Sequence, residues 1–270
     1  MTVERVQAPF GRRAAAVVAR EQHGAYVVVR CEDPAGPRPQ AGQFYMLSTA
    51  ERWGGGEDER PFLPRAFSVL RAPAASPELH FLIEDVGPGT RRLCELAPGD
   101  QLLLVGPLGI GWQAPRQDRA PVLVGGGVGI APLAILQDQL TRPHTTLLGF
   151  RSGAHAVGAG LLTNPRVATD DGSAGHFGLV TELLRETLRE HPQVEVYGCG
   201  PPAMLEAVRR LCEQTDTPGQ LALESGMACG FGACFGCVVA TREGYVRLCV
   251  DGPVLDAAQL QTALVPGAGH

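Results

Sequence analysis

The chain has 270 residues, of which 44% are hydrophobic, and it contains 35 glycines and 22 prolines. This length allows two or more domains with their own cores, and the hydrophobic content excludes a disordered chain. The formal net charge is −5, and none of the 23 basic residues is a lysine. The charge pattern offers no basic stripe for nucleic acid and no polybasic membrane anchor.

We expect a cytoplasmic protein without a membrane segment. The uncharged stretch of residues 120–137 is 18 residues long, but its four glycines and two prolines argue against a membrane helix. The first five residues lack the apolar segment of a signal peptide. Because cytoplasmic thiols are kept reduced, we expect the eight cysteines to serve metals or cores rather than disulfides.

The first part of the chain has the pattern of a small antiparallel barrel. Six short apolar runs are separated by Gly/Pro turns, which predicts six strands. The runs cover residues 14–18, 26–30, 43–47, 66–70, 79–83 and 101–105. Between the third and fourth runs, the charged and glycine-rich residues 51–60 predict a surface loop.

Two segments of this barrel have the residue types of a flavin pyrophosphate site. Arg65 offers a charge for phosphate, Phe67 a face for a flat ring and Ser68 a hydroxyl, although an ordinary strand explains the same tetrapeptide. In residues 87–90, the bare backbone of Gly89 and the hydroxyl of Thr90 suit a second phosphate contact at a helix start. Together the two segments favour a phosphate clamp.

From residue 120 the pattern changes to strand, glycine loop and helix. Apolar strands at residues 145–150, 166–169 and 194–199 alternate with helices at 179–190 and from 201, which predicts a parallel sheet. The loop glycines Gly125, Gly127 and Gly129 lie where a helix start can hold a dinucleotide pyrophosphate. Tight strand-to-helix turns also need glycine for steric reasons, so the loop alone leaves both explanations open.

Asp170 and Asp171 follow the strand at residues 166–169. Acidic side chains there favour the ribose 2′-hydroxyl of NAD over the 2′-phosphate of NADP. An Asp-Gly turn explains them equally well, and Arg151, after the preceding strand, weakens the preference because it suits a phosphate.

Four cysteines near the C-terminus have the spacing C-x4-C-x2-C-x11-C: Cys229, Cys234, Cys237 and Cys249. The first three reproduce the loop of plant-type [2Fe-2S] ferredoxins. Structural zinc sites usually use two separate short C-x2-4-C pairs, whereas the two short spacings here share Cys234, and eleven residues separate Cys237 from the fourth cysteine. The pattern therefore favours an iron-sulfur cluster over zinc.

Glycines Gly230, Gly232 and Gly236 lie between these cysteines. We expect all three to adopt positive φ and to let the backbone curl around a cluster. The remaining cysteines share no spacing, and we expect three of the four to be small buried hydrophobes. They are Cys31, Cys94, Cys199 and Cys212.

Taken together, the motifs resemble the ferredoxin-reductase superfamily, and specifically the electron-transfer subunits of class 1B dihydroorotate dehydrogenase. The resemblance covers nearly the whole chain. It rests on R-x-F-S at residues 65–68, G-x-G-T at 87–90, G-P-L-G-I-G at 106–111, G-x-G-x-x-P at 127–132, Y-G-C-G-P at 197–201 and the cysteine cluster ending in C-V-D-G-P at 249–253.

The resemblance implies an α+β multidomain fold. A six-stranded antiparallel barrel in residues 1–115 would bind FAD, a parallel α/β domain in residues 116–217 would bind NAD, and a small module in residues 218–270 would hold a [2Fe-2S] cluster. The cluster would face an FMN-binding catalytic partner, in a heterotetramer with two copies of each subunit. Electrons from dihydroorotate would then reach NAD+ within pyrimidine biosynthesis.

The resemblance also implies roles for single residues. The FAD contacts would be Arg65, Ala66, Phe67, Ser68, Leu82, Ile83, Glu84, Gly89 and Thr90, with Ser68 near the reactive flavin nitrogen. The NAD contacts would include Gly125, Gly127, Gly129, Asp170 and Asp171, with Cys199 near the meeting point of nicotinamide and flavin. The cluster ligands would be Cys229, Cys234, Cys237 and Cys249. Glu84 departs from many relatives, which have a basic residue there. No catalytic base is assigned, because orotate forms in the partner.

Two alternatives stay open at the level of sequence. Reductase subunits of a sulfhydrogenase or of NADH-dependent ferredoxin:NADP oxidoreductase share the same motifs, although some of them replace a ligand by Asp. A protein of another class, a non-catalytic interaction module held together by zinc, would use the same thiols without a flavin.

Overall fold

The first part of the fold is a closed antiparallel barrel of six strands. The computed structural model describes residues 11–54 and 61–265. The strands are β1 (Arg13–His23), β2 (Tyr26–Glu32), β3 (Phe44–Thr49), β4 (Arg65–Arg71), β5 (Glu78–Glu84) and β6 (Gln101–Leu108). Their order around the barrel is β1-β2-β5-β4-β3-β6, which confirms the predicted barrel. Residues 55–60 of the predicted surface loop lie outside the described residues.

The barrel interior is filled by apolar side chains that alternate along the strands. Tyr45 and Phe81 are fully buried and meet edge to face, with ring centroids 5.6 Å apart. Helix α1 (Pro88–Cys94) follows β5 and packs against it. The barrel thus presents the start of β4 and the start of α1 side by side.

The second part is a seven-stranded sheet. Its strands are β7 (Ala120–Gly126), β8 (Thr145–Phe150), β9 (Arg166–Thr169), β10 (His176–Phe177), β11 (Val194–Cys199), β12 (Gly219–Ala222) and β15 (Val254–Asp256). The order is β10-β9-β8-β7-β11-β12-β15, and all pairs are parallel except β12 with β15. The predicted parallel sheet is therefore confirmed.

Helices connect these strands. They are α2 (Ala131–Gln137), α3 (Gly153–Ala156), α4 (Val180–Glu190) and α5 (Pro202–Gln214), with 3-10 turns at Gly127–Ile130 and Val157–Leu161. The helix after the glycine loop ends at Gln137, and a turn closed by the Leu140 amide follows it. Within the described ranges, no helix is long and apolar enough to cross a membrane.

The C-terminal region holds a hairpin, β13 (Val238–Thr241) with β14 (Gly244–Arg247), and the short helix α6 (Leu248–Asp251). Strands β12 and β15 lie on either side of this region in sequence, and both belong to the seven-stranded sheet. The predicted boundary between residues 217 and 218 thus lies just before a strand of the same sheet. The three-part division stays a prediction.

The barrel packs against the sheet near the glycine loop. Helix α2 lies on β4, and the Trp112 indole Nε1 donates to the carbonyl oxygen of Pro132 at 3.0 Å. Arg71 on β4 pairs with Asp138 after α2 and also donates to the carbonyl of Leu161. These contacts hold the strand that carries the predicted flavin segment against the helix that follows the glycine loop.

A buried carboxylate fastens the chain end to α5. Glu206 accepts two hydrogen bonds from Arg209 at 3.0 Å and one from the Ala263 amide at 2.8 Å. The side chains of Glu206 and Arg209 are each 8% exposed. The Arg209 hydrogen bonds, helped by the Ala263 amide, lower the pKa of Glu206 to about 2.

We predict that Glu206→Gln destabilises the protein by about 1.5–3 kcal/mol at neutral pH, because the buried Arg209 would keep only the exposed Glu213 as its counter-charge. The Glu206 pKa is depressed below its ordinary 4.5, so this stabilisation is present above pH 4.5 and is lost as the pH falls towards 2. Thermal unfolding of the unmodified protein and of Glu206→Gln should be measured as a function of pH. The difference between their unfolding midpoints should narrow below pH 4.5.

Glu213→Gln on the same helix is the matched control. Its side chain is 54% exposed and pairs with Arg209 and Arg242. Exposed ion pairs contribute roughly 0.2–1 kcal/mol, so this change should have a small effect. Equal losses in the two variants would contradict the role given to Glu206.

Candidate functional site: a flavin clamp, a nucleotide loop and a thiol cluster

The structure brings the two predicted phosphate segments together. Arg65 starts β4, and its guanidinium lies directly over Gly89 in α1. A Cβ at Gly89 would lie 2.9 Å from Nε of Arg65 and 3.2 Å from Cζ, so a side chain there would displace the guanidinium. Arg65 Nη1 also donates to the carbonyl oxygen of Leu63 at 2.6 Å. The charge is therefore held at the barrel edge.

Thr90 shapes the loop before α1. Its hydroxyl accepts from the amides of Val86 at 2.9 Å and Gly87 at 3.0 Å, and it donates to the Gly87 carbonyl. The hydroxyl is thus bound to the backbone of its own loop. Its predicted phosphate contact stays a prediction, and the observed role is to fix the turn that carries Gly89.

The other predicted flavin residues differ in what they can offer a ligand. Ala66 is exposed, and Phe67 and Ser68 are half-buried on β4. Leu82 and Ile83 are each 1% exposed, and as neighbours on β5 they are buried on opposite faces of the barrel wall. Any ligand contact from these two residues would have to use the backbone.

Glu84, the departure from the family pattern, links the barrel to the sheet. Its carboxylate pairs with Arg151, which follows β8, and lies 3.3 Å from Nε2 of His155. Nδ1 of His155 is 2.9 Å from the Ser152 hydroxyl. Arg151, considered above for a nucleotide phosphate, is therefore engaged by a carboxylate at the mouth of the cleft.

The glycine loop packs against the turn that follows β11. A Cβ at Gly129 would lie 2.6 Å from the Cys199 backbone, and one at Gly125 would lie 3.0 Å from Leu133. Gly129 is thus required by packing, whereas a side chain at Gly125 would have to displace the ends of its apolar neighbours. Gly127 is different, because its φ is +55° and a Cβ there would meet only the Tyr26 hydroxyl at 4.0 Å. Of the three predicted glycines, Gly127 has the space that a ligand needs.

Cys199 is buried at the end of β11. Burial, with the nearby charge of Glu224, raises the pKa of its thiol well above the ordinary value, so the group stays protonated at neutral pH. Desolvation also raises the pKa of Glu224, which follows β12. Sequence reasoning did not single out Glu224, although it directly precedes the cysteine motif. Cys31, Cys94 and Cys212 are buried, as expected.

Asp170 and Asp171 are exposed in the turn after β9. Gly172 has a φ of +71°, so the Asp-Gly turn considered above is present. The carboxylate of Asp171 accepts from the amide and hydroxyl of Ser173, which lowers its pKa. Ser173 in turn accepts from the Gly153 amide beside Arg151. The Asp171 carboxylate therefore stays ionised where the predicted ribose contact would lie.

The four cysteines of the C-terminal motif form two pairs. The sulfur of Cys237 lies 3.2 Å from that of Cys249, and both residues are buried. Cys229 lies within hydrogen-bonding reach of Cys234, which is exposed. In the part of the chain that the structure describes, no three His, Cys, Asp or Glu side chains converge as ligands of one ion. Two pairs of thiols suit two irons bridged by sulfide.

The backbone prepares one of these thiols for metal binding. Desolvation opposes ionisation of Cys229, but hydrogen bonds from Cys234 and from the Phe231 backbone lower its pKa to about 6. Burial, together with the nearby Cys237 thiol, raises the pKa of Cys249 to about 12. Metal ligation requires thiolates, so binding would release a proton from Cys249.

The glycines of the loop only partly behave as predicted. Gly230 and Gly232 have φ values of +78° and +90°, as expected. Gly236 does not adopt positive φ. That conformation falls on Phe235, with φ of +57°, while the Gly236 amide donates to the Cys234 sulfur at 3.4 Å. The prediction for Gly236 was therefore wrong, because Phe235 takes the left-handed position in this turn, although a Cβ at Gly236 would still lie 3.5 Å from the Cys234 sulfur.

Comparison with known proteins agrees with this site. Residues 224–261 match the family model described as the iron-sulfur cluster binding domain of dihydroorotate dehydrogenase B. The electron transfer subunit of dihydroorotate dehydrogenase B (NAD+) from Clostridium acetobutylicum is 34% identical over 222 residues, which cover 81% of this chain and 85% of that protein. The subunit from Caldanaerobacter subterraneus subsp. tengcongensis is 36% identical over 234 residues, covering 83% and 88%.

The chain belongs to this family of electron transfer subunits. Solved structures confirm the fold. The NADH-dependent reduced ferredoxin-NADP oxidoreductase of flavin-based electron bifurcation superposes with a TM-score of 0.78 at 24% identity, covering 94% of this chain and 92% of that one. A ferredoxin NADP+ reductase from Neisseria gonorrhoeae with bound FAD and NADP gives a TM-score of 0.58 at 19% identity, covering 76% and 91%.

Membership makes the chain an oxidoreductase subunit with a catalytic partner. The family and the fold support the predicted cofactors, FAD, a [2Fe-2S] cluster and NAD. The zinc-held interaction module is set aside, because the matched family domain binds an iron-sulfur cluster.

We predict that Arg65→Ala weakens FAD binding by about 1.5–3 kcal/mol, because a charge-assisted contact with phosphate is lost. Titration of flavin-free protein with FAD measures this directly. The iron and sulfide content should not change. An unaltered FAD affinity would contradict the assignment of Arg65.

A second prediction concerns nucleotide choice. The carboxylates of Asp170 and Asp171 should repel a 2′-phosphate, so catalytic efficiency should be higher with NAD+ than with NADP+. Replacing both residues by Ser should lower the ratio of the catalytic efficiency with NAD+ to that with NADP+. Arg166→Gln, on the strand before the turn, is a control that should leave this ratio unchanged. Equal efficiency with the two nucleotides in the unmodified protein is incompatible with this reading.

Proposed function

We propose that this subunit carries electrons between an FMN-containing catalytic partner, which oxidises dihydroorotate, and NAD+, within pyrimidine biosynthesis. We further propose a heterotetramer with two copies of each subunit. The supporting observation is the place of the paired thiols, which lie against the barrel that carries Arg65 and Gly89. A Cβ at Gly230 in the thiol loop would lie 2.4 Å from Cγ of Met46 on β3.

The cofactors supply the redox chemistry, since a flavin exchanges a hydride with nicotinamide and single electrons with an iron-sulfur cluster. The protein binds these cofactors and orients them. Arg65 and the loop held by Thr90 would hold the flavin pyrophosphate, and the cysteine pairs would each hold one iron. Gly127 gives the nucleotide room in the loop before α2.

The outer side of the thiol loop supports a partner at this end of the molecule. Cys234 is exposed, and Phe231 and Phe235 on either side of it are 54% and 63% exposed. Tyr245 on the neighbouring hairpin is 81% exposed. Large apolar side chains beside an exposed ligand are typical of a protein interface. We propose that the FMN subunit covers this surface.

We also propose a cytoplasmic location. All eight cysteines are free of disulfides, which agrees with a reducing compartment. The nucleotide turn, with two exposed carboxylates, supports NAD as the physiological acceptor.

The proposal is tested by mixing the purified subunit with an FMN-containing dihydroorotate dehydrogenase subunit from the same cell. Dihydroorotate should reduce NAD+ only when both subunits are present, and the two should co-elute as a complex of two plus two. Activity with ferredoxin or another acceptor, and none with dihydroorotate, would favour the related reductase complexes and contradict this assignment.

We predict that Cys237→Ser bleaches the iron-sulfur absorption while FAD stays bound, because the flavin clamp lies in the barrel. Hydride exchange between NADH and an artificial two-electron acceptor should continue, whereas dihydroorotate-dependent NAD+ reduction should fall steeply. Complex formation is measured in parallel, since a collapsed loop would also weaken partner binding.

Cys94→Ser, the same change at a buried cysteine of the barrel, is the control and should keep the cluster. If Cys237→Ser protein retained two irons and two sulfides with unaltered spectra, the ligand set would have to be redrawn.

A further inference from the structure

Trp53 lies beside the flavin clamp, outside every motif used above. It follows β3 in the described part of the loop before β4, and it packs against the barrel core while remaining partly exposed. Cζ of Arg65 lies 5.9 Å from the centroid of the Trp53 ring. Since Arg65 also rests on Gly89, the guanidinium lies between an indole face and a bare backbone.

This arrangement holds Arg65 in place. A guanidinium over an indole face is attracted to the negative face of the ring, more strongly where water is excluded. Arginine also loses side-chain entropy when it is ordered. The indole face of Trp53, here called the shelf, orders the Arg65 guanidinium before a ligand binds. It therefore lowers the entropic cost of binding.

The indole N–H supplies a second, independent observation. Nε1 of Trp53 is buried and has no hydrogen-bond partner among the described residues. Indole is a donor only, so this N–H can be satisfied only by an acceptor. A buried donor without a partner is destabilising. A ligand atom that accepts from this N–H beside the positive charge of Arg65 should be a negatively charged acceptor, and a phosphate oxygen has this chemistry.

We propose that Trp53 is a positioning residue for FAD, which holds Arg65 over Gly89 and donates its indole N–H to the flavin pyrophosphate. The inference rests on FAD as the barrel cofactor. It gives a role to the segment between β3 and β4, for which the sequence motifs offer none.

The test compares FAD dissociation constants of flavin-free proteins. Trp53→Ala should raise the constant about tenfold, since it removes both the shelf and the donor. Trp53→Phe keeps an aromatic face without the N–H, so its dissociation constant for FAD should lie between those of the unmodified protein and Trp53→Ala. In an Arg65→Ala background, Trp53→Ala should have a much smaller effect, because the shelf has nothing left to hold.

Trp112→Phe is the matched control, because Trp112 is the other tryptophan and is buried, with its Nε1 bonded to the Pro132 carbonyl. It should leave FAD affinity unchanged. In that variant, Trp53 is the only indole, and its fluorescence should be quenched on FAD addition.

Three outcomes separate the explanations. An unchanged FAD affinity in Trp53→Ala, or the same fold-loss with and without Arg65, would overturn the role of Trp53. A lower thermal midpoint of flavin-free Trp53→Phe, with wild-type FAD affinity, would make Trp53 a packing residue only and overturn the proposal. Failure of the unmodified protein to bind FAD would overturn the cofactor assignment itself, and the Trp53 proposal with it.

Discussion

The close approach of Gly230 to the barrel is the contact on which the arrangement of the site depends. Its φ of +78° turns the thiol loop inward, and a Cβ there would lie 2.4 Å from Met46 and 3.0 Å from Leu108. Any side chain at this position would push the loop away from β3 and β6. Because glycine is present, the thiol loop lies against the barrel at this point, and the outer face of the loop, which carries the exposed Cys234, stays open to a partner.

The same principle organises the nucleotide side of the cleft. Gly129 lets the loop after β7 touch the backbone of Cys199, so the loop and the end of β11 form one surface. Glu84 and Arg151 then tie this part of the sheet to the barrel. The missing side chain of Gly129 allows the close approach of the loop to β11. The ion pair between Glu84 and Arg151 bridges the barrel and the sheet. Three chemically different binding regions are thereby held in one molecule.

Sequence reasoning predicted the elements whose signals are local. Alternating apolar runs gave the six barrel strands, and cysteine spacing gave the thiol set, because both patterns depend on neighbours along the chain. The strands β12 and β15 were not assigned to the sheet, since three or four residues carry too little pattern. The left-handed conformation was expected at Gly236 but occurs at Phe235. The position of Glu224 near Cys199 and the shelf formed by Trp53 depend on tertiary approach, which spacing does not encode.

The central claim is that flavin and cluster form one electron path within this subunit. Anaerobic titration of the purified protein with NADH, followed by visible absorption and electron paramagnetic resonance, tests it most directly. We predict that NADH reduces the flavin and that the signal of a reduced [2Fe-2S] cluster appears with it. The proposed electron path would be wrong if NADH fully reduced the flavin while the cluster stayed oxidised, although dithionite reduced the cluster readily.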